Sequence, residues 1–437
     1  MVSSDPLTTK TVTMCLLVVL LLIAQSPTTC GDVADCRKQA LAAAAAGEYE
    51  TFHDLAWRAV QIARTNDPDL MYLLARAQSL SGRPGDALVM LQRLVELGVT
   101  VDAATNDDFR RVRALKGWPD LEARIAGKPA SPPRTEPAAA ERTSERTESR
   151  PEAAPASSPA DKSEEALSFD APPFAAIGLA YDAVSRRFIV GDRKGGRLIV
   201  VDEVSHHVAN LVSAASAGFY DTIAAFEIDA RRGDLWVASV KSDTRESVLH
   251  KLQLVSGRVL DEIRLTSGGD TPPVVTDVAI AADGTILALD GDGGRIVRVR
   301  PKSRTAEDAA KVELPGARSL TIADERTVYI ASDSGITKVD LPTHTATPLH
   351  VPRNADVAHV DRIRWHDGAL ILMQRTADGE SRIARARLDG TGGSITRIQV
   401  LAVSREAVPP ASTVSGSELY YLVPGASGPS IRRAKLK

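Results

Sequence analysis

The C-terminal part of the chain repeats one short pattern, and this repeat constrains the fold more than any other feature of the sequence. Each copy has an apolar segment, a turn that contains aspartate in most copies, a second apolar segment, a polar turn and a third apolar segment. The clearest copy runs from residue 277 through the turn Asp283-Gly284 to residue 299. Asp-Gly pairs favour hairpin turns because both residues tolerate positive φ.

Six copies fill the region 172–437, with about 40 to 55 residues from one turn to the next. This spacing is the period of one four-stranded blade, so the sequence predicts an all-β, six-bladed propeller. A two-sheet sandwich is the alternative, but a sandwich does not require an even period. The turns of successive copies lie near residues 182, 229, 283, 324, 367 and 417.

The segment 33–126 has a different periodicity, with alanine-rich stretches and apolar residues at helical spacing. Gly47 and Gly82 are separated by close to one tetratricopeptide repeat, and Ala75 and Ala87 stand at small-residue positions of that motif. The segment therefore resembles the tetratricopeptide family, which implies a helical module that binds peptides or partner proteins. Because fewer than three full units are present, a small helical module packed mainly against itself is the simpler interpretation.

Two further segments flank this module. Residues 127–170 are rich in Pro, Ala, Ser, Glu and Arg and contain no aromatic residue before Phe169, which predicts a disordered linker. Residues 1–30 include an apolar run at 14–24, which has the length of a signal-peptide core and is too short to cross a bilayer comfortably. The sequence thus predicts export to the periplasm, the envelope or the medium, with a retained membrane anchor as the alternative.

Cysteine use agrees with export. Cys30 and Cys36 follow the apolar run and are able to pair in an oxidising compartment. Lipidation of Cys30 is disfavoured because Pro27-Thr28-Thr29 lacks the aliphatic and small residues that precede a lipidated cysteine. Contact with a membrane is therefore expected only if the N-terminal segment is retained or Cys30 is lipidated.

Composition argues against nucleic acid as a partner. The net charge is −3, acidic and basic residues are well mixed, and aromatic residues make up only 4% of the chain. Nucleic-acid-binding domains concentrate basic residues on one surface, and single-strand binders add aromatic side chains that stack on bases. Neither feature is present, so the expected partner is a protein or a small molecule.

The blade pattern resembles the gluconolactonase/regucalcin family and the related NHL-repeat proteins. The resemblance rests on the apolar-Asp-x-x-Gly-x-apolar turns and on segments such as 294–299 (GRIVRV), and it covers about residues 172–437. It implies a lactone hydrolase with a divalent cation, Ca or Zn, held in the central channel by a Glu, an Asn and one or more Asp. Here Ile177 stands at the Glu position and Thr276 at the Asn position, and only Asp361 matches a ligand. A single carboxylate cannot form the oxygen cage of a hard cation, so no cofactor and no catalytic residue are expected.

Five charged residues begin or lie within the predicted innermost strands, where a polar channel mouth would capture a ligand. Solvated or salt-bridged side chains are the competing interpretation. His206, His207 and His359 are expected on loops. We therefore expect an exported binding or scaffold protein that recognises a protein or small ligand, with a diverged lactonase-like hydrolase as the alternative. The candidate channel-mouth residues are Asp221, Asp277, Arg318, Asp361 and Arg364.

Overall fold

A computed structural model of the chain contains a helical N-terminal region followed by six four-stranded antiparallel sheets. The predicted fold class is therefore confirmed. No helix in the described part of the chain is long and apolar enough to cross a membrane. The structure describes residues 30–63, 67–127, 163–171, 174–193, 195–266, 271–353, 355–375, 380–404, 411–425 and 428–436. The predicted signal segment, apart from Cys30, and most of the predicted linker lie outside these ranges.

The helical region consists of two helical hairpins and a short C-terminal cap. Gly47 and Gly82 occupy the two hairpin turns with φ of 74° and 84°, a backbone conformation that glycine adopts without strain. The Asp67 side chain accepts hydrogen bonds from the first backbone N–H groups of the third helix, which begins at Pro68. The helices are α1 (Val33–Ala45), α2 (Tyr49–Ala63), α3 (Pro68–Leu80), α4 (Pro84–Glu96), α5 (Arg110–Arg113) and α6 (Trp118–Ile125), with a 3-10 turn at Asp107–Phe109 before α5.

The sheets form the six blades of a propeller, and the first five follow the order of the chain. A single strand, β1 (Glu164–Ser168), precedes them. Blade one contains β2 (Ala176–Asp182), β3 (Arg187–Asp192), β4 (Arg197–Asp202) and β5 (Val208–Ser213), and a short helix α7 (Ala214–Ala217) leads to blade two. Blade two contains β6 (Thr222–Asp229), β7 (Asp234–Val240), β8 (Ser247–Gln253) and β9 (Val259–Arg264).

Blades three to five repeat this arrangement, with the innermost strand first and the outermost strand last. Blade three contains β10 (Val275–Ile280), β11 (Ile286–Asp290), β12 (Arg295–Val299) and β13 (Ala306–Lys311). Blade four contains β14 (Ser319–Ile322), β15 (Thr327–Ser332), β16 (Gly335–Asp340) and β17 (Thr345–Pro348). Blade five contains β18 (Val360–His366), β19 (Ala369–Arg375), β20 (Ser381–Leu388) and β21 (Ile395–Ser404).

Blade six closes the ring by joining the two ends of the propeller sequence. It contains β22 (Ser412–Ser415), β23 (Glu418–Val423) and β24 (Ser430–Lys435), and β1 pairs antiparallel with β24 as the outermost strand. The sequence predicts a disordered linker over residues 127–170. Residues 164–168 of that segment form strand β1 instead. Its sequence, EEALS, has only Leu167 buried, so it lacks the apolar alternation that identifies a strand.

The lack of apolar alternation in the outermost strands explains why the sequence pattern predicts only three strands per blade. The three inner strands are apolar because they pack between neighbouring blades. The outermost strand faces solvent on its free edge, and β17 is exposed along its whole length. A polar strand of this kind carries little hydrophobic signal.

The helices pack against one another, as the sequence predicts, but they also pack against blades one and two. One apolar cluster continues from α2 and α4 into the propeller, where it includes Leu252 and Val255. Trp57 of α2 donates a 2.7 Å hydrogen bond from Nε1 to the carbonyl of Ala230, and a Cβ at Gly233 would lie 3.2 Å from its ring. The helices and the propeller therefore share one core.

Cys30 and Cys36 form a disulfide at the start of α1, with their Cα atoms 5.0 Å apart. Both cysteines are fully buried, and the Cys30 carbonyl accepts a 2.9 Å hydrogen bond from Nε of Arg58 on α2. The disulfide thus ties the first described residues to the first hairpin.

Candidate functional site

The starts of the innermost strands meet at one end of the central channel, where they surround a cavity of about 400 Å³. The innermost strands are β2, β6, β10, β14, β18 and β22, and each contacts the innermost strand of the next blade. One wall, formed by blades two and three, carries apolar side chains together with Thr222 and Thr276, whereas the opposite wall carries most of the charged groups. The apolar wall contains Ala224, Val240, Val274 and Val275.

Four of the inner strands carry a β-bulge at this mouth. The register of each strand against its neighbour shifts around one residue, and these residues are Ile177, Ala224, Thr276 and Asp361. A bulge inserts an extra residue and re-aims its side chain, and all four residues line the cavity. The inner strands are thus modified at equivalent positions to present side chains to the channel.

An ion pair across the channel forms the floor of the cavity. Arg362 on β18 is 7% exposed, and its Nη2 lies 3.2 Å from Oδ1 of Asp277 on β10. Its Nη1 donates a 3.2 Å hydrogen bond to the carbonyl of Ile177. The other oxygen of Asp277 accepts hydrogen bonds from the Ser319 hydroxyl at 2.6 Å and the Leu320 N–H at 3.1 Å. Asp277 is therefore fully engaged within the protein.

The ion-pair network continues towards the opposite end of the channel. Arg364 lies 3.8 Å from Asp277 and 3.5 Å from Glu227, measured from Nη1 and Nη2 to the carboxylate oxygens. Glu227 and Arg364 line a second cavity of about 250 Å³, together with Trp365. Two carboxylates and two guanidinium groups thus lie between the two cavities, and their charges balance.

Burial in the channel changes the titration of this network. Burial raises the pKa of the Glu227 carboxyl, and the nearby Arg364 and Arg362 counteract only part of that effect. Burial and the neighbouring Arg364 charge lower the pKa of Arg362 to about 10. Arg362 consequently remains protonated at neutral pH and places a cation at the cavity floor.

The rim of the cavity carries a second group of ion pairs. Asp361 lies 3.5 Å from Arg318 and 3.1 Å from Nε of Arg375, and Arg318 also pairs with Asp333. Arg193, after β3, lines the cavity as well and is exposed. Within the described ranges no carboxylate lies within ion-pair distance of Arg193.

The structure brings together some of the sequence-predicted site residues but not all of them. Asp277, Arg318 and Asp361 line the 400 Å³ cavity, whereas Arg364 lines the cavity at the other end of the channel. Asp221 is exposed and accepts a 2.8 Å hydrogen bond from the backbone N–H of Ser242 outside that cavity.

Three charged residues of the channel were missed by sequence reasoning: Arg193, Glu227 and Arg362. The spacing Arg362-x-Arg364 was a usable signal, because alternate residues of a strand share one face. Glu227 lies in the middle of a strand whose apolar neighbours dominate the pattern, and Arg193 lies in a turn. Neither position can be assigned to the channel from local sequence.

A divalent cation does not fit this site. The three positions that the family resemblance assigns to metal ligands, Ile177, Thr276 and Asp361, do line the cavity, but only one is a carboxylate. Asp361 and Asp277 are both held by arginine side chains, which repel a cation. The described residues contain no cluster of three His, Cys, Asp or Glu side chains able to hold a metal. We therefore assign no metal chemistry to the channel.

The histidines lie away from the cavity. His206 and His207 are exposed in the turn between β4 and β5, and His359 is exposed before β18. None of the three is among the residues that line the 400 Å³ cavity.

The chain is similar to several solved structures at 11 to 15% sequence identity. No protein-family model and no curated protein match the sequence. The chain is similar to a solved aldose sugar dehydrogenase from Streptomyces coelicolor, at 11% identity and a TM-score of 0.46, over 62% of this chain and 97% of that one. It is also similar to a gluconolactonase from Xanthomonas campestris, at 15% identity and a TM-score of 0.44, over 60% and 86%. A third similar structure is a virginiamycin B lyase from Staphylococcus aureus, at 15% identity and a TM-score of 0.40, over 60% and 81%.

Proposed function

We propose that the protein is an exported binding protein that takes up a small molecule in the 400 Å³ cavity at the channel mouth. The cavity itself carries the proposal. Its volume lies within the range of small-molecule sites, and it combines an apolar wall with a few convergent polar groups, as such sites do. The four bulges supply a structural reason for the convergence, since each turns one side chain towards the same space.

Binding without catalysis is favoured because the serine hydroxyl and the carboxylates of the cavity, Ser319, Asp277 and Asp361, are engaged in the fold. The Ser319 hydroxyl donates to Asp277 and accepts from the backbone N–H of Ile363, so it is not poised as a nucleophile. Asp361 is held by two arginines and is not positioned as a free general base. The geometry therefore supports recognition of a ligand more than hydrolysis of one.

Export is supported by the Cys30–Cys36 disulfide, because disulfides persist mainly in oxidising compartments. The same bond leaves no thiol at Cys30 for a lipid. The apolar run at residues 14–24 supplies the second argument for export.

Thermal shift of the purified full chain with sugars, lactones, organic acids and organic amines tests the binding proposal. A ligand should raise the Tm of the wild-type protein but not that of Ala224→Leu, whose larger side chain fills part of the cavity. Ala346→Leu, on the exposed strand β17, is the matched control and should respond like the wild type.

Metal analysis and a lactone hydrolysis assay on the same preparation address the alternative. We expect no stoichiometric divalent metal and no turnover. Bound metal together with lactone turnover that is lost in Asp361→Ala would replace the binding proposal with a hydrolase.

A further inference from the structure

The two walls of the 400 Å³ cavity differ in chemistry. Blades two and three contribute the apolar side chains of Ala224, Val240, Val274 and Val275. Blades one, four and five contribute the charged side chains on the opposite wall, and the floor is formed by Arg362 of blade five with Asp277 of blade three. A ligand that fills the cavity therefore meets hydrocarbon on one side and charge on the other.

The charge of the polar wall is positive. The arginines that line the cavity are Arg193, Arg318 and Arg362, and the acids are Asp277 and Asp361. Both acids are already engaged, because Asp277 receives hydrogen bonds at both oxygens and Asp361 is held by two arginines. With their further partners Asp333, Glu227, Arg364 and Arg375 the paired groups balance, so the excess positive charge is that of Arg193.

Arg193 is the cavity arginine with donor capacity left for a ligand, whereas Arg362 contributes a buried positive charge at the floor. No described carboxylate lies within ion-pair distance of Arg193, so its guanidinium faces the cavity rim without a charged partner. Arg362 is 7% exposed and its Nε atom is buried, so Arg362 acts on a ligand through its charge. A guanidinium group presents paired N–H donors that match the two oxygens of a carboxylate.

We infer that the ligand of the channel mouth is a small organic acid with an apolar body, whose carboxylate faces Arg193 and the Arg362 floor and whose hydrocarbon part lies on the valine wall. This inference rests on the proposed binding function and names the chemical class of its ligand. A neutral molecule would leave the excess positive charge uncompensated, and an inorganic anion would leave the apolar wall unfilled.

Isothermal titration of the full chain with matched acids and amides tests this assignment. The probes are hexanoate and benzoate, compared with hexanamide and benzamide, which have nearly the same shape but no charge. We expect the acids to bind at least about tenfold more tightly than the amides, the ratio that one charge-assisted contact of roughly 1.4 kcal/mol produces.

Arg193→Gln should reduce the affinity for hexanoate about tenfold while leaving the amides unaffected. Arg193 is exposed, so the substitution does not disturb the core. Arg264→Gln is the control, because Arg264 is an exposed arginine on the outermost strand of blade two, with a side chain 75% exposed.

The outcomes distinguish the organic-acid assignment from the proposed binding function. Equal binding of acids and amides, or an unchanged hexanoate affinity in Arg193→Gln, would overturn the organic-acid assignment and leave the proposed binding function standing. Binding by none of the four probes would overturn the organic-acid assignment. The thermal-shift result for the other ligand classes would then decide the proposed binding function.

Discussion

Aspartate performs two different tasks in this propeller. Asp182 and Asp290 each accept backbone N–H groups within their own turn and pair with an arginine five residues later, Arg187 and Arg295. These contacts are local, and the turns that they stabilise were predictable from sequence. Asp277 instead pairs with an arginine 85 residues away on another blade. Its role depends on the closed ring.

Removal of the Asp277 charge should destabilise the propeller strongly. Asp277→Asn keeps the side-chain shape but leaves buried Arg362 without its paired counter-charge and leaves Arg364 with Glu227 alone. We expect a loss of about 3 to 5 kcal/mol in the free energy of unfolding, measured by chemical denaturation.

Asp308→Asn is the control for this substitution. Its side chain is 48% exposed and its ion pair to Arg295 is long, at 3.9 Å, so it should change the free energy of unfolding by no more than about 0.5 kcal/mol. Equal effects of the two substitutions would show that the channel network does not stabilise the fold.

At the scale of elements, the outermost strand of blade six holds the ring closed. Leu167 is the one fully buried side chain of β1, and it packs in the same apolar cluster as Leu422 and Ile431. The strand also covers the free edge of β24, which would otherwise expose unpaired backbone groups. The first strand of the propeller sequence therefore completes the last blade by pairing with its final strand.

Leu167→Ala should cost about 2 to 3 kcal/mol in the free energy of unfolding, because it removes buried methyl groups and leaves a cavity in blade six. Hydrogen exchange should show faster exchange in β24. Glu165→Ala, an exposed position of the same strand, should be nearly neutral in both measurements. Similar losses for the two variants would contradict the closure role of Leu167.

At the scale of the whole molecule, the helical module is joined to the propeller by polar contacts as well as by the shared core. Arg93 of α4 lies 2.9 Å from Asp202, which also caps the turn after β4 by accepting the N–H groups of Val204 and Ser205. Partial burial alone would raise the pKa of Asp202, but the hydrogen bonds from Ser205, Arg93 and Val204 lower it to about 2.

This lowered pKa predicts a pH-dependent contribution of the contact. A carboxyl whose folded pKa lies below its unfolded value stabilises the fold above the unfolded pKa of about 3.9, and the stabilisation is lost as the pH falls through the folded pKa. Arg93→Gln should therefore cost about 1 kcal/mol at neutral pH, a figure reduced for the partial exposure of Asp202. The difference from wild type should shrink as the pH falls from 5 towards 2.

Chemical denaturation at several pH values measures this effect. Arg124→Gln, which removes a 3.4 Å pair with the exposed Glu96 inside the helical module, is the control and should show a small, nearly constant cost. A constant cost for Arg93→Gln would mean that Asp202 does not titrate with this contact.

The sequence alone determined the fold class, because the signals that specify it are local. Hydrophobic alternation and short turns act over a few residues, and the resulting pattern recurs along the propeller with a regular period. The same locality explains the two helical hairpins and the glycine turns at Gly47 and Gly82. It also explains why outer strands such as β1 and β17 were missed, since they carry almost no apolar pattern.

Only the tertiary structure decided the site and the position of the helices. Closure of the ring brings the starts of six inner strands together, and one-residue bulges then select which side chains enter the channel. Arg362 contacts groups 85 and 185 residues away, and Trp57 contacts a turn 173 residues away. No local pattern encodes which residues meet over such separations, because contacts of this kind depend on the packing of the complete fold.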